Sequence, residues 1–127
     1  MSNPVVIDVI DDNPDIRRML GLVLKAQGYQ VRTHESANAF LKSEASSEPS
    51  LLILDVRMPG MSGLELYRQL LAQDQKHAVI FMSGESQPHE IAAANSSVPV
   101  DFLWKPFSTQ QLLQAIDKGI QQLRQAH

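Results

Sequence analysis

A chain of 127 residues with 43% hydrophobic side chains is long enough for one domain that buries roughly two thirds of its unfolded surface. The absence of cysteine excludes a disulfide framework and a thiolate metal site, and suits a reducing cytoplasm. A formal net charge of -3 supplies no field to attract nucleic acid, no apolar run approaches the roughly 20 residues of a membrane span, and the opening "MSNPVVIDVIDD" lacks the pattern of a signal peptide. The expectation is a soluble cytoplasmic protein that contacts neither nucleic acid nor membrane directly and works through a local site.

The first strand-like run is "VVIDVI" (5–10), which ends in the pair Asp11 and Asp12. Asn13 followed by Pro14 marks a helix start, Ile16, Leu20, Val23 and Leu24 form its stripe, and Gly28 ends it. A second strand, "YQVRTH" (29–34), leads to a helix capped by Ser36 and carrying Phe40 and Leu41, and "SEASSEPS" (43–50) is a polar connection. The third strand is "LLIL" (51–54), an uninterrupted apolar run of the kind buried on both faces, with Asp55 as the first residue beyond it. The turn from Pro59 to Gly63 delivers a helix capped at Ser62, with Leu64, Tyr67, Leu70 and Leu71 on its apolar side.

The fourth strand, "AVIFM" (78–82), ends in Ser83. After it, "QPHEIAAANSSVPV" (87–100) allows a short or poorly packed helix that Asn95, Ser96, Ser97 and Pro99 break. The fifth strand, "VDFLW" (100–104), ends in Lys105; Ser108 and Gln111 form a capping box for a last helix carrying Leu112, Leu113, Ile116, Ile120 and Leu123. The tail "QQLRQAH" runs out with that helix, so no output domain is expected within this sequence, which fits a short natural protein or a segment of a longer one.

Strand and helix alternating five times imply a parallel sheet with helices on both faces. In such a sheet the carboxyl ends of the strands share an edge where ligands bind, so Asp11, Asp12, Asp55, Ser83 and Lys105 should converge there. Carboxylates about 4 Å apart repel by roughly 4 kcal/mol at an effective dielectric near 20, so a cation or a raised pKa must relieve them. Oxygen ligands select a hard ion, and Mg²⁺ fits best; Lys105 adds a second positive charge, so the place could accept a phosphoryl group.

The acidic pair, "LDVRMPGMSGLEL" around Asp55, "MSGE" around Ser83 and "DFLWKPF" around Lys105, taken in order, resemble the receiver domain of two-component response regulators, closest to receivers of nitrogen-fixation-regulator type with helix-turn-helix output. The resemblance spans essentially the whole chain. It implies a flavodoxin-like, doubly wound five-stranded parallel sheet of order 2-1-3-4-5. Asp55 would then accept a phosphoryl group from a sensor histidine kinase or phosphotransfer protein. Asp11, Asp12, Asp55 and the backbone carbonyl of Arg57 would hold Mg²⁺, and Lys105 would pair with Asp55 and later with the phosphoryl oxygen. Ser83 and Phe102 would form the switch, and Arg57 and Glu85 would tune hydrolysis, pairing across the mouth of the site. Phe102 departs from the commoner tyrosine and Val98 from the usual glycine. The output face would change partner, often through a homodimer, and Lys105–Pro106 is a candidate for a cis bond.

Each residue has a plainer use. Asp11 and Asp12 could be a solvated turn, Asp55 a turn initiator before "MPG", Ser83–Gly84 an ordinary turn and Lys105 a surface lysine. Asp8, about 13 Å from Asp12 along a strand, is too far for the same ion and is expected to hydrogen-bond a neighbouring element. Trp104 should face outward on an edge strand, as a partner contact or packed on a flanking helix. His34, His77, His89 and His127 lack metal spacing and read as surface residues. Two other function classes compete: a small Mg²⁺-dependent aspartyl-phosphate phosphatase, disfavoured because Arg57 stands where such enzymes carry an acidic proton donor, and a phosphate-independent scaffold.

Overall fold

The computed structural model describes residues 5–43, 49–73, 77–84 and 101–125. Strands β1 (Val6–Ile10), β2 (Gln30–His34), β3 (Leu51–Asp55), β4 (Ala78–Ser83) and β5 (Asp101–Trp104) form one parallel sheet in the order β2-β1-β3-β4-β5. The described helices are α1 (Pro14–Ala26), α2 (Ala37–Lys42), α3 (Gly63–Ala72) and α4 (Thr109–Gln125). The chain winds outward in opposite directions from β1 and β3, so the crevice of the fold opens between their carboxyl ends. The short helix expected within 87–100, with Val98 and His89, lies outside the described residues, as do Glu85 and His127.

Two cores explain why the strands are so apolar. Ile7, Val9, Leu51, Ile53 and Ile80 meet Leu20 and Leu24 of α1 and Leu112 and Ile116 of α4 on one face. On the other, Ile10, Leu52, Leu54, Val79 and Phe81 meet Phe40 of α2 and Leu66, Tyr67 and Leu70 of α3. A strand whose alternate residues both reach a core must be hydrophobic throughout, and β3 is buried at every position. Leu71, expected in the stripe of α3, is instead half exposed, and Leu66 takes its place. In α4, Gly119 lies against Leu51 so closely that a Cβ would strike the leucine side chain.

The helix starts follow local chemistry. Asn13 Oδ1 accepts from Asp15 N at 2.8 Å and Ser36 Oγ from Ala39 N at 3.0 Å. Ser62 and Glu65 form a reciprocal capping box, as do Ser108 and Gln111. Gly28 takes a φ of 91° after α1, a conformation costly for other residues.

The expectation that Asp55 lies beyond its strand is corrected by one residue. Asp55 pairs in register with Met82 and ends β3, because Val56 N still donates to Met82 O at 3.1 Å.

Asp8 is fully buried and does bond its neighbours. Arg32 grips it through Nε (2.8 Å) and Nη2 (2.9 Å), and Ser50 Oγ donates to its Oδ2 at 2.7 Å. His34 Nε2 lies 2.9 Å from Oδ1 and must carry the proton, since an ionised carboxylate only accepts. Ser50 has spent its single proton, so at 3.2 Å it accepts from His77 Nδ1. His34 and His77 also set their rings edge-on to Phe40, with centroids 5.1 and 5.8 Å away. Neither is therefore the free surface residue expected.

Burial works against the charge of Asp8, but the hydrogen bonds of His34, Arg32 and Ser50 outweigh it and hold the carboxyl below its ordinary range. Its stabilising effect is thus complete above the unfolded value of about 3.9 and is lost as pH falls through the lower native value. We predict that Asp8→Asn costs about 3 kcal/mol, since Arg32 can partly recover solvent, and that Arg32→Met costs at least as much by stranding the carboxylate. Denaturant titrations at pH 7 and across the acid range check both, with the Asn variant showing the shallower acid limb.

Candidate functional site

The backbone brings the ends of β1, β3, β4 and β5 to one edge, and the side chains gather there. Carboxylate oxygens of Asp11, Asp12 and Asp55 all lie within 4.8 Å of one another. Asp11 is fully buried and Asp55 is 6% exposed, whereas Asp12 faces solvent. Lys105 Nζ bridges the buried pair, 3.1 Å from Asp11 Oδ2 and 3.6 Å from Asp55 Oδ2. The expected pairing with Asp55 is present, and Asp11 is a second and closer partner. Ser83 is buried at the end of β4, and its carbonyl accepts from Lys105 N at 3.0 Å, which ties the lysine backbone to the sheet. The Lys105–Pro106 peptide is cis.

Asp55, Arg57, Ser83, Gly84 and Lys105 line a pocket of about 240 Å³. That is well above the roughly 10–15 Å³ that one water needs, so a tetrahedral anion has room. Arg57 contributes its backbone N–H to Asp55 Oδ1 at 3.3 Å, and its side chain is exposed. The proposed pairing of Arg57 with Glu85 falls outside the described residues. Phe102 sits half-buried against the second core, its ring 6.4 Å from Phe81 and 4.9 Å from Trp104. Trp104 is exposed as expected, and its inner face rests on Phe102.

Two supports were missed in the sequence. Gly63 begins α3 directly over the end of β3, its N–H donating to Val56 O at 2.9 Å, and a Cβ there would run into the Asp55 carbonyl. The signal was a glycine straight after a serine cap, where a better helix former is usual. Arg17 Nη1 donates to Asp11 O at 2.7 Å, a contact across a helical turn that hydrophobic periodicity does not report.

Burial raises the pKa of Asp55 most, and the charge of Asp11 raises it further. Lys105 and the Arg57 N–H pull it down, Asp12 pushes it up again, and the outcome is about 6. The group remains mostly ionised at pH 7, in a place short of positive charge. A donor set made only of carboxylate oxygens, beside such a deficit, fits a hard divalent cation; Asp11, Asp12 and Asp55 are the residues that could hold it.

A doubly wound sheet with carboxylates and a lysine gathered at its carboxyl edge is the arrangement that the resemblance to signalling receivers implies. The response regulator receiver domain model matches residues 7–117, and the chain belongs to that family of two-component signalling proteins. It is 36% identical over 116 residues to the transcriptional regulatory protein FixJ of Azorhizobium caulinodans, covering 91% of this chain and 55% of that protein. To the response regulator protein TodT of Pseudomonas putida it is 38% identical over 111 residues, covering 87% and 49%. The structure of full-length FixJ from B. japonicum superposes with a TM-score of 0.88 at 32% identity, over 98% of this chain and 62% of that one. The chain thus spans about half the length of these curated relatives. Among the described residues no helix is long and apolar enough to cross a membrane.

Two outcomes are expected. Asp55 has a native pKa above its unfolded one, so in metal-free protein its contribution to stability is present below about pH 4 and lost as pH rises through about 6. Asp55→Asn should then exceed the wild type in stability at pH 7 by on the order of 2–3 kcal/mol without divalent ions, and the gap should close when they are added. Gly63→Ala should cost about 1–3 kcal/mol, read by thermal unfolding, because neither strand end nor helix start can yield.

Proposed function

We propose that this chain is a phosphorylation-dependent signalling switch in which Asp55 accepts a phosphoryl group from a phosphohistidine of a sensor histidine kinase or phosphotransfer protein. The observation that carries this reading is the gathering of three carboxylates and Lys105 at one sheet edge, beside a pocket that Asp55 and Lys105 line. An ionised carboxylate needs no general base to act as a nucleophile. One Asp55 oxygen attacks phosphorus, the phosphorus–nitrogen bond breaks, and its electrons leave with the donor imidazole, which takes up a proton. Mg²⁺ held by Asp11, Asp12, Asp55 and the Arg57 carbonyl would offset charge on the transferred oxygens, which is most of the catalysis such a transfer needs. Lys105 would exchange its carboxylate partners for the new phosphoryl oxygen.

Ser83 would then turn its hydroxyl to that oxygen. Its register partner across the sheet is Trp104, and Phe81 pairs with Phe102, so a shift at Ser83 passes directly to the aromatic edge strand. Phe102 has no hydroxyl to trade, so coupling rests on ring packing against Phe81 and Trp104. The altered edge would take a new partner, a second copy or an output domain. Several relatives of about twice this length, FixJ among them, are named transcriptional regulatory proteins, which favours a cytoplasmic transcription switch that leaves DNA contact to another part of the protein. Arg57, exposed at the rim, would tune hydrolysis together with Glu85.

Incubation with Mg²⁺ and a small acyl phosphate should give an alkali-labile phosphoryl adduct by mass, accompanied by a change in Trp104 fluorescence. Lys105→Met should slow adduct formation by about 10²-fold, as loss of a preorganised charge contact commonly does. No adduct on the wild type, or an equal one on Asp55→Ala, overturns the reading.

A further inference from the structure

Asp11 is held through its N–H, its carbonyl and both carboxylate oxygens, from the end of β2, the start of α1 and the residue after β5. Its backbone N–H donates to His34 O at the end of β2, at 3.2 Å. Oδ1 accepts from Asn13 N at 2.8 Å, and Oδ2 accepts from Lys105 Nζ at 3.1 Å. The remaining group is the carbonyl, which lies outside α1 and could take no helical donor: the first intrahelical bond runs from Arg17 N to Asn13 O. It is Arg17 Nη1, reaching back from α1, that donates to it at 2.7 Å. Helical side chains lean toward the helix N-terminus, so an arginine one turn in is placed to make this reach.

The choice of a carbonyl is informative. A guanidinium among carboxylates ordinarily takes a carboxylate in a forked pair. Here it spends its bond on the backbone and does not compete for the carboxylate oxygens that Asp11 and Asp12 bring to the cluster with Asp55. The peptide unit is planar, so fixing Asp11 O also fixes the N–H of Asp12 and the direction in which Asp12 leaves it. Asp12 is the exposed member of the trio, without the burial that locks Asp11 and Asp55.

Building on the function proposed above, we propose that Arg17 is a positioning residue for the cation pocket: it holds the Asp11–Asp12 peptide so that Asp12 stays within reach of Asp11 and Asp55. A role through charge alone predicts the opposite sign. Removing a cation beside three carboxylates should tighten the binding of a metal ion, whereas losing the positioning should weaken it.

The test is Mn²⁺ and Mg²⁺ binding by calorimetry, without phosphodonor, on the wild type, Arg17→Met, Arg17→Gln and Arg17→Lys. Arg17→Met is expected to weaken affinity 5- to 10-fold, and Arg17→Lys, which keeps a donor and the charge, to recover part of it. With a small phosphodonor, the Mg²⁺ concentration for half-maximal rate should rise by the same factor while the rate at saturating Mg²⁺ is unchanged. If Arg17→Met does not fold, Arg17→Gln serves, with affinity expected below the wild type. Wild-type affinity or tighter in the folded variant overturns the inference and leaves the proposed function standing. A wild-type chain that binds neither ion overturns the reading of the pocket, and this inference with it.

Discussion

Mutual repulsion among Asp11, Asp12 and Asp55 is the constraint around which the rest of the molecule is arranged. Adjacent parallel strands lie about 4.8 Å apart, so a chain that ends both β1 and β3 in carboxylates has little freedom to keep them separated. Their oxygens indeed come within 4.8 Å of each other. Every neighbouring feature offsets part of this cost. Lys105 bridges Asp11 and Asp55, Asn13 and Arg57 turn backbone N–H groups to the same two carboxylates, and Asp55 holds its proton to about pH 6. What is left uncompensated is the negative charge that makes these carboxylates a set that could hold a cation.

Asp8 shows what the same sheet does with a carboxylate that is fully satisfied. It is as deeply buried as Asp11, yet a guanidinium fork, an imidazole and a hydroxyl surround it, and its pKa falls where that of Asp55 rises. Environments that push two carboxylates in opposite directions set a structural group apart from a candidate reactive one. The two are also mechanically joined. Asp8 fixes His34 on the edge strand, and the carbonyl of His34 holds the backbone of Asp11, so the polar network underneath steadies the pocket above.

Much of this was legible in the sequence because it depends on short-range pattern. Unbroken apolar runs marked strands covered on both faces, and Asn13, Ser36, Ser62 and Ser108 marked helix starts, so the strand ends and their cluster followed. What escaped depends on contacts far apart in the chain. Nothing local distinguishes His34 from a surface histidine; its partner Asp8 lies 26 residues away. Leu71 satisfied helical spacing as well as Leu66 did, and only the packing of α3 decides between them. The end of β3 was placed one residue early because the apolar run stops at Leu54, while the hydrogen-bond ladder continues to Asp55 on the strength of Met82. Gly63 read as part of a turn, since the need for a bare Cα there is set by the Asp55 backbone rather than by the turn.

The same packing decides where a change at the pocket could go. β3 is buried throughout and β4 as well, so neither can shift without opening a core that is close-packed on both sides. The edge strand β5 differs: its Phe102 is half-buried and its Trp104 exposed, so neither is locked into a core as the side chains of β3 and β4 are. A line of rings runs outward along this path, from Tyr67 to Phe81 at 5.4 Å, to Phe102 at 6.4 Å and to Trp104 at 4.9 Å. Within the proposed switch, rearrangement of Ser83 is therefore confined by the rigid centre and expressed at the one strand next to it that faces solvent. In that proposal a receiver with phenylalanine in place of the commoner tyrosine would transmit by this route, because the rings are already in contact and no hydroxyl partner would have to be exchanged.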